Sequence, residues 1–200
     1  MTQPDPFLRE GFGQSLKFFE AVMVLDKHRV SSWCDSDAQS ILPNRHNPWN
    51  RSARIFRTWY EKSGVTVAEA SDEDFAEEYY DQLKDVFGKQ GLVPTYDLAR
   101  VRQLIKHLRP TGRLLLLRAR NAEGRCIATN IYVGMNRLSH SWGSASYRKD
   151  QGDSPNEALR WYALRYWKSR GMRWHDWGGG GEYKQKYGGT PIAVPWFFKS

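Results

Sequence analysis

The chain has 200 residues, 40% of them hydrophobic, 26% charged and 14% aromatic, which suits one domain with some extra elements and excludes a repeat array, a disordered tail or a collagen-like rod. The net charge of +8 is uneven: residues 1–100 carry 12 Lys/Arg against 16 Asp/Glu, and residues 101–200 carry 18 against 6. The second half also holds six of the nine tryptophans, and a basic, aromatic half suits an anionic ligand such as a nucleotide, a phosphorylated cofactor, RNA or a lipid headgroup, with a merely solvated basic surface as the alternative.

Phe12, Leu16, Phe19 and Met23 stand at helical spacing and predict a helix within residues 12–28. Residues 31–50 are polar and contain proline, so they read as a loop, and residues 51–63 read as a second helix that ends at Gly64. Segment 1–64 is therefore expected to be a helical and loop appendage, with the main domain over 65–200. Val65 to Ala70 alternate in a short β-branched strand. Ser71, answered by Asp74, is expected to cap a helix whose stripe is Phe75, Tyr79, Leu83 and Val86. Thr95 opens another, with Leu98, Val101, Ile105 and Leu108 on one side and Pro110 and Gly112 at its end.

Three strands follow as a meander, over 113–120, 125–133 and 138–147. Ser154-Pro155-Asn156-Glu157 has the form of a capping box with proline at the first helical position, and predicts a helix through Ser169. After Gly171, residues 172–177 form a strand with Met172, Trp174 and Asp176 on one face and Arg173, His175 and Trp177 on the other. Four glycines, a polar segment and a last strand near 192–198 complete the chain. An antiparallel meander flanked by helices, with one helix crossing to a further strand, is an α+β plan.

Cys34 and Cys126 are too few for a disulfide scaffold, the five histidines show no ligand spacing for a metal, and Cys126 reads as a small core residue. No apolar run approaches the roughly 20 residues of a membrane span, and residues 1–10 lack a signal-peptide pattern, so the expected location is cytoplasmic. Gly178 to Gly181 do not fit GxxxxGK[ST], because Tyr183 precedes Lys184; they read as a bent connection or as backbone that approaches a ligand closely. The strand-to-helix connection 147–156 joins Arg148 and Lys149 to a helix N-terminus, where free amides and the dipole favour an anion, against the repulsion of Asp150 and Asp153. Asp176, at a strand end before the glycines, is a candidate general base, and His175 reads as an exposed or hydrogen-bonded strand residue.

Trp142-Gly143-Ser144-Ala145-Ser146, the Ser154-Pro155-Asn156 helix start, a strand ending in Asp176, then Gly178-Gly179 and Tyr183-Lys184-Gln185-Lys186-Tyr187-Gly188-Gly189, together resemble the Fem-type branch of the GNAT acyltransferases over roughly residues 65–198. That family has Asp-x-Gly-Gly followed by Phe-Lys-x-x-Phe-Gly, and here Tyr183 and Tyr187 replace the phenylalanines. The resemblance implies a single GNAT-like domain with a mixed, largely antiparallel sheet, and transfer of an acyl or aminoacyl group to an amine of a peptide, cell-wall or polysaccharide precursor. It implies a donor in a wedge between strands 138–147 and 172–177, with Lys184 stabilising developing charge and Asp176 on the acceptor side. Arg148, Lys149, Gln151, Gly152, Ser154 and Asn156 would bind the donor, and Trp142, Tyr183, Tyr187, Gly178 and Gly179 would line the cleft. Acetyl-CoA users carry [Q/R]-x-x-G-x-[G/A] before the helix, and the nearest frame here is Lys149-x-x-Gly152-x-Ser154. Acyl-CoA and aminoacyl-tRNA both stay open as donors, and the chain has room for one GNAT unit where Fem ligases normally have two. A non-catalytic module of the same fold that binds RNA or another anionic polymer is the alternative.

Overall fold

The computed structural model describes Thr58, residues 63–178 and four strands outside that span. In chain order the elements are β1 (Phe12–Ser15), β2 (Phe19–Val24), β3 (Thr66–Glu69), α1 (Phe75–Gly88), α2 (Leu98–Leu108), β4 (Leu114–Arg120), β5 (Cys126–Met135), β6 (Leu138–Ser146), α3 (Pro155–Ser169), β7 (Trp174–Asp176), β8 (Thr190–Ala193) and β9 (Trp196–Lys199). A seven-stranded sheet runs in the order β3-β4-β5-β6-β7-β2-β8, and β1 pairs with β9 in a separate ribbon. Within the large sheet only β6 and β7 are parallel. The parallel step needs a crossover, and α3 supplies it. This is the mixed, largely antiparallel sheet of an α+β domain.

Helices cover both faces of the sheet, which is why β4 reads Leu114-Leu115-Leu116-Leu117 without alternation. Leu115, Leu117 and Ala119 pack with Ile127 and Tyr132 beneath Leu159, Ala163 and Trp167 of α3. Leu116 and Ile131 face the other way, beneath Phe75, Tyr79 and Leu83 of α1 and Val101 and Ile105 of α2. Each fully buried leucine here contributes about 1.5–3 kcal/mol by leaving water.

Four expectations are corrected. Residues 12–28 are not a helix: β1 and β2 lie there, and β2 is held between β7 and β8, with Val22 opposite both Asp176 and Thr190. Backbone hydrogen bonds to two neighbours outweigh the weak helical spacing, in a stretch whose Val22 and Val24 suit a strand equally well. Segment 1–64 thus contributes a strand to the sheet of the 65–200 unit. Helix α1 starts at Phe75, with Asp74 at its N-cap making no side-chain cap bond. The residues before it are drawn to Arg118, a buried cation on β4 that binds Asp72 and Glu78; a charge in that position must be paired. In α3 the capping box does not form, because Ser154 sits at φ 54°, ψ 41° and makes no cap bond through its side chain. By contrast α2 is capped from Asp97, whose carboxylate accepts from the Arg100 amide at 2.8 Å, two residues after the expected Thr95.

Candidate active site

The ladder between β6 and β7 has three pairs, Leu138 with Trp174, Ser139 with His175 and His140 with Asp176. There β7 ends, while β6 continues to Ser146. Two residues past the last pair β6 carries a bulge: Tyr132 and Ile131 of β5 face Ser141 and Gly143, leaving Trp142 as the extra residue. A bulge bends its strand and sharpens the local twist. The two parallel strands therefore part at His140 and Asp176, opening a wedge whose one wall is β6 from Ser141 onward.

Two polar networks flank the junction on opposite faces of the sheet. On the α3 side His175 is wholly buried; its Nδ1 lies 2.8 Å from Ser139 Oγ and its Nε2 lies 3.4 Å from Ser141 Oγ. Ser139 donates to the Trp174 carbonyl, so its oxygen accepts from His175 Nδ1–H, and Nε2 accepts from the Ser141 hydroxyl. Burial pushes His175 down to about 3, so the ring is neutral. Tyr132 and Trp177 pack against it, with Arg160 of α3 over Trp177. Burial also pushes the Tyr132 hydroxyl, which accepts from Asn130 Nδ2, up to about 12. On the α1 and α2 side, Asp176 accepts from His140 Nδ1 at 2.5 Å and from the Gly178 amide at 2.7 Å. Beyond them on that face Trp142 packs on Tyr96 and Tyr79, whose hydroxyls are 2.6 Å apart. Next to Tyr96 lies an open hollow of about 440 Å³ lined also by Tyr80, Asp97 and Arg100.

Past β6 the chain makes a 3-10 turn over Arg148–Asp153 and enters α3. Asp150 is buried and receives both guanidinium nitrogens of Arg125 at 2.8 Å, which holds its carboxyl below the usual range. The repulsion expected from Asp150 is thereby largely neutralised within the protein. The Arg148 amide donates to Asp85, and the Arg148 and Lys149 side chains are exposed. Asn156 donates to Ser146 Oγ at 3.1 Å, which ties the N-terminus of α3 to the end of β6, and its own Oδ1 is buried with no partner among the described residues.

The structure thus gathers Arg148, Lys149, Gln151, Gly152, Ser154 and Asn156 at one end of the wedge, and Asp176, Gly178 and Trp142 at its junction. Gly179, Tyr183, Lys184 and Tyr187 lie outside the described residues. Cys126 is a free, half-buried thiol whose pKa is raised by burial, fitting a small packed residue. Sequence reasoning passed over His140, Ser139 and Arg125. Nothing local marks them, since each finds its partner 25 to 36 residues away through the tertiary fold. Among the described residues no group of three or more His, Cys, Asp or Glu could hold a metal ion, and no helix is long and apolar enough to cross a membrane.

A parallel pair that parts at a bulge, beside a basic turn leading into a crossover helix, is the framework of a GNAT domain. The chain belongs to the acetyltransferase (GNAT) domain family, which it matches over residues 50–187. It is similar in structure to FemX, with a TM-score of 0.70 and 13% identity over 97% of this chain and 67% of that one. It is similar too to L-PGS from Bacillus licheniformis (0.61, 12%, covering 97% and 64%) and to a GCN5-related N-acetyltransferase from Sphaerobacter thermophilus (0.55, 13%, covering 96% and 53%). The chain spans two thirds of the length of FemX and less of the other two, and at these identities the likeness is one of fold. No curated protein matches the sequence.

Proposed function

We propose that the protein is a Fem-like N-acyltransferase that moves an acyl or aminoacyl group directly onto an amine of a peptide, cell-wall or polysaccharide precursor. The observation that carries this is the parting of β6 and β7 at His140 and Asp176, which leaves the β6 backbone beyond Ser141 without a β7 partner beside an anion-ready helix start. Backbone amides set in place before reaction polarise an acyl carbonyl and stabilise the oxyanion that develops on it. The residues present suit an anionic donor: Arg148 and Lys149 supply charge, and Asp150 is tied off by Arg125. The donor supplies the activated carbonyl, as a thioester in acyl-CoA or an ester in aminoacyl-tRNA. FemX and L-PGS as structural neighbours favour keeping the aminoacyl donor beside acetyl-CoA.

In this reading Lys184 stabilises developing charge, with Tyr183, Tyr187 and Gly179 completing the cleft. The test is thermal unfolding with acetyl-CoA, CoA and alanyl-tRNA in turn, since a ligand that binds only the folded state at 100 times its Kd adds about 2.7 kcal/mol. Stabilisation by one donor, with transfer reduced about 10- to 1,000-fold in Lys184→Ala, is the expected result. Full turnover in that variant removes Lys184 from the mechanism. If no donor stabilises the protein while RNA binds and weakens as salt rises, the non-catalytic reading replaces this one.

A further inference from the structure

We propose that His140 takes the proton from the acceptor amine and that Asp176 is the positioning residue behind it; this assignment rests on the acyl-transfer reading above. The two residues are the last pair of the parallel ladder, where the strands part. Both project to the α1 and α2 side, the face that also carries Trp142, whereas α3 covers the opposite face. A donor whose carbonyl lies where the strands part, and an amine that attacks it there, meet next to His140.

The hydrogen bonds divide the roles. Asp176 is 6% exposed and both its oxygens already accept, one from His140 Nδ1 and one from the Gly178 amide. A carboxylate so placed is a poor acceptor for a substrate proton but a strong orienter of a ring. With the proton of the neutral imidazole on Nδ1 facing Asp176, the lone pair stands on Nε2, which makes no hydrogen bond among the described residues. A third of the His140 side chain, 32%, is open to solvent, while its Asp176 partner is buried. Gly178, at φ +63°, lies close over β6 beside the ring: a Cβ there would come within 3.1 Å of the Ser141 carbonyl oxygen and touch His140 Cε1 at 3.6 Å.

Besides Asp176, the titratable group that the structure couples to the ring is the neutral His175 of β7, and Val133 faces His140 across β5. In the step itself the amine nitrogen attacks the acyl carbon and an N–C bond forms. The nitrogen's proton passes to His140 Nε2. The C–S bond of a thioester, or the C–O bond of an aminoacyl ester, then breaks, and the leaving sulfur or ribose oxygen takes up the proton from the ring, directly or through water, returning His140 to its neutral form.

The experiment has two arms. In the first, wild type, His140→Gln, His140→Ala and Asp176→Asn are assayed with acetyl-CoA or alanyl-tRNA as donor and the tripeptide Ala-Lys-Ala as amine. His140→Gln is expected to lower kcat about 10²- to 10⁴-fold with KM for the donor little changed. Added imidazole is expected to restore part of the rate to His140→Ala, and Asp176→Asn to lower kcat about 10-fold or more with a shifted pH–rate profile. Wild-type kcat in His140→Gln, or a loss confined to KM, overturns the proposal. The second arm needs no donor: long-range ¹H–¹⁵N spectra of the neutral protein are expected to show the His140 proton on Nδ1 with Nε2 bare, and to lose that pattern in Asp176→Asn. A neutral ring protonated at Nε2 overturns the dyad even if transfer occurs, whereas absence of transfer in the wild type bears on the acyl-transfer reading and leaves this arm to decide the dyad.

Discussion

The buried His175 makes the stability of the protein fall on mild acidification by an amount that can be worked out. Its ring ionises near 3 in the folded state against an ordinary value of 6.5, because burial disfavours the charged form. In the unfolded chain the same ring gains a proton as the pH drops below 6.5, while the folded protein stays neutral until the pH nears 3. Across that window the unfolded state binds more protons, so stability present above pH 6.5 is lost as the pH falls, and below about 3 the loss stops growing. Between pH 7 and pH 5 the linkage amounts to about 2 kcal/mol. At urea m-values of about 1–3 kcal/mol/M this moves the unfolding midpoint by roughly 0.7–2 M. Urea unfolding of wild type and His175→Gln at pH 5, 6 and 7 measures it. The amide of the variant meets Ser139 and Ser141 without titrating, and the other four histidines are common to both proteins. The variant should start less stable and lose about 2 kcal/mol less on going to pH 5; equal losses would refute the reasoning.

Gly143 on the bulged strand has no room for a side chain: a Cβ there would lie 2.2 Å from the Tyr79 hydroxyl oxygen and 3.0 Å from its ring carbon, and Tyr79 is wholly buried between Phe75 and Trp142. Gly143→Ala should destabilise by about 1–3 kcal/mol, and much less in a Tyr79→Phe background, so that a double-mutant cycle by urea unfolding gives a favourable coupling; additive losses would count against the packing described. If the 148–153 turn binds the donor as proposed, Arg125→Ala exposes it to the full charge of Asp150, and calorimetric titration should find CoA affinity reduced about 10-fold, or about 1.4 kcal/mol. Adding Asp150→Asn should recover most of it, and no recovery would mean that the turn does not face the donor phosphates.

Periodicity located the meander over β4, β5 and β6 to within two residues, along with α3 and its proline at the first helical position. These elements have strong local patterns and turn residues at their ends, so chain-neighbour physics suffices for them. It failed at β2, where Phe19 and Met23 mimic a helix and the deciding interactions come from β7 and β8. It also misplaced the start of α1, because Arg118 recruits Asp72 from 46 residues away. Asp176 was legible as a carboxylate at a strand end before glycines, but its partner was not. His140 is 36 residues earlier in the chain, and only the parallel register of β6 with β7 sets the two side by side.

What the sequence determined by itself was the class: an α+β domain with a basic second half, and motifs spaced as in an acyltransferase of the GNAT kind. Those properties are carried by composition, period and short spacings, which survive in one dimension. Which groups meet at the junction was decided only by tertiary structure. The bulge at Trp142, the neutral burial of His175, the pairing of Arg125 with Asp150 and the contact of His140 with Asp176 each depend on strand register and on helix packing across the sheet. A pairing energy acts between atoms a few ångströms apart, and the sequence does not state that distance until the chain has folded.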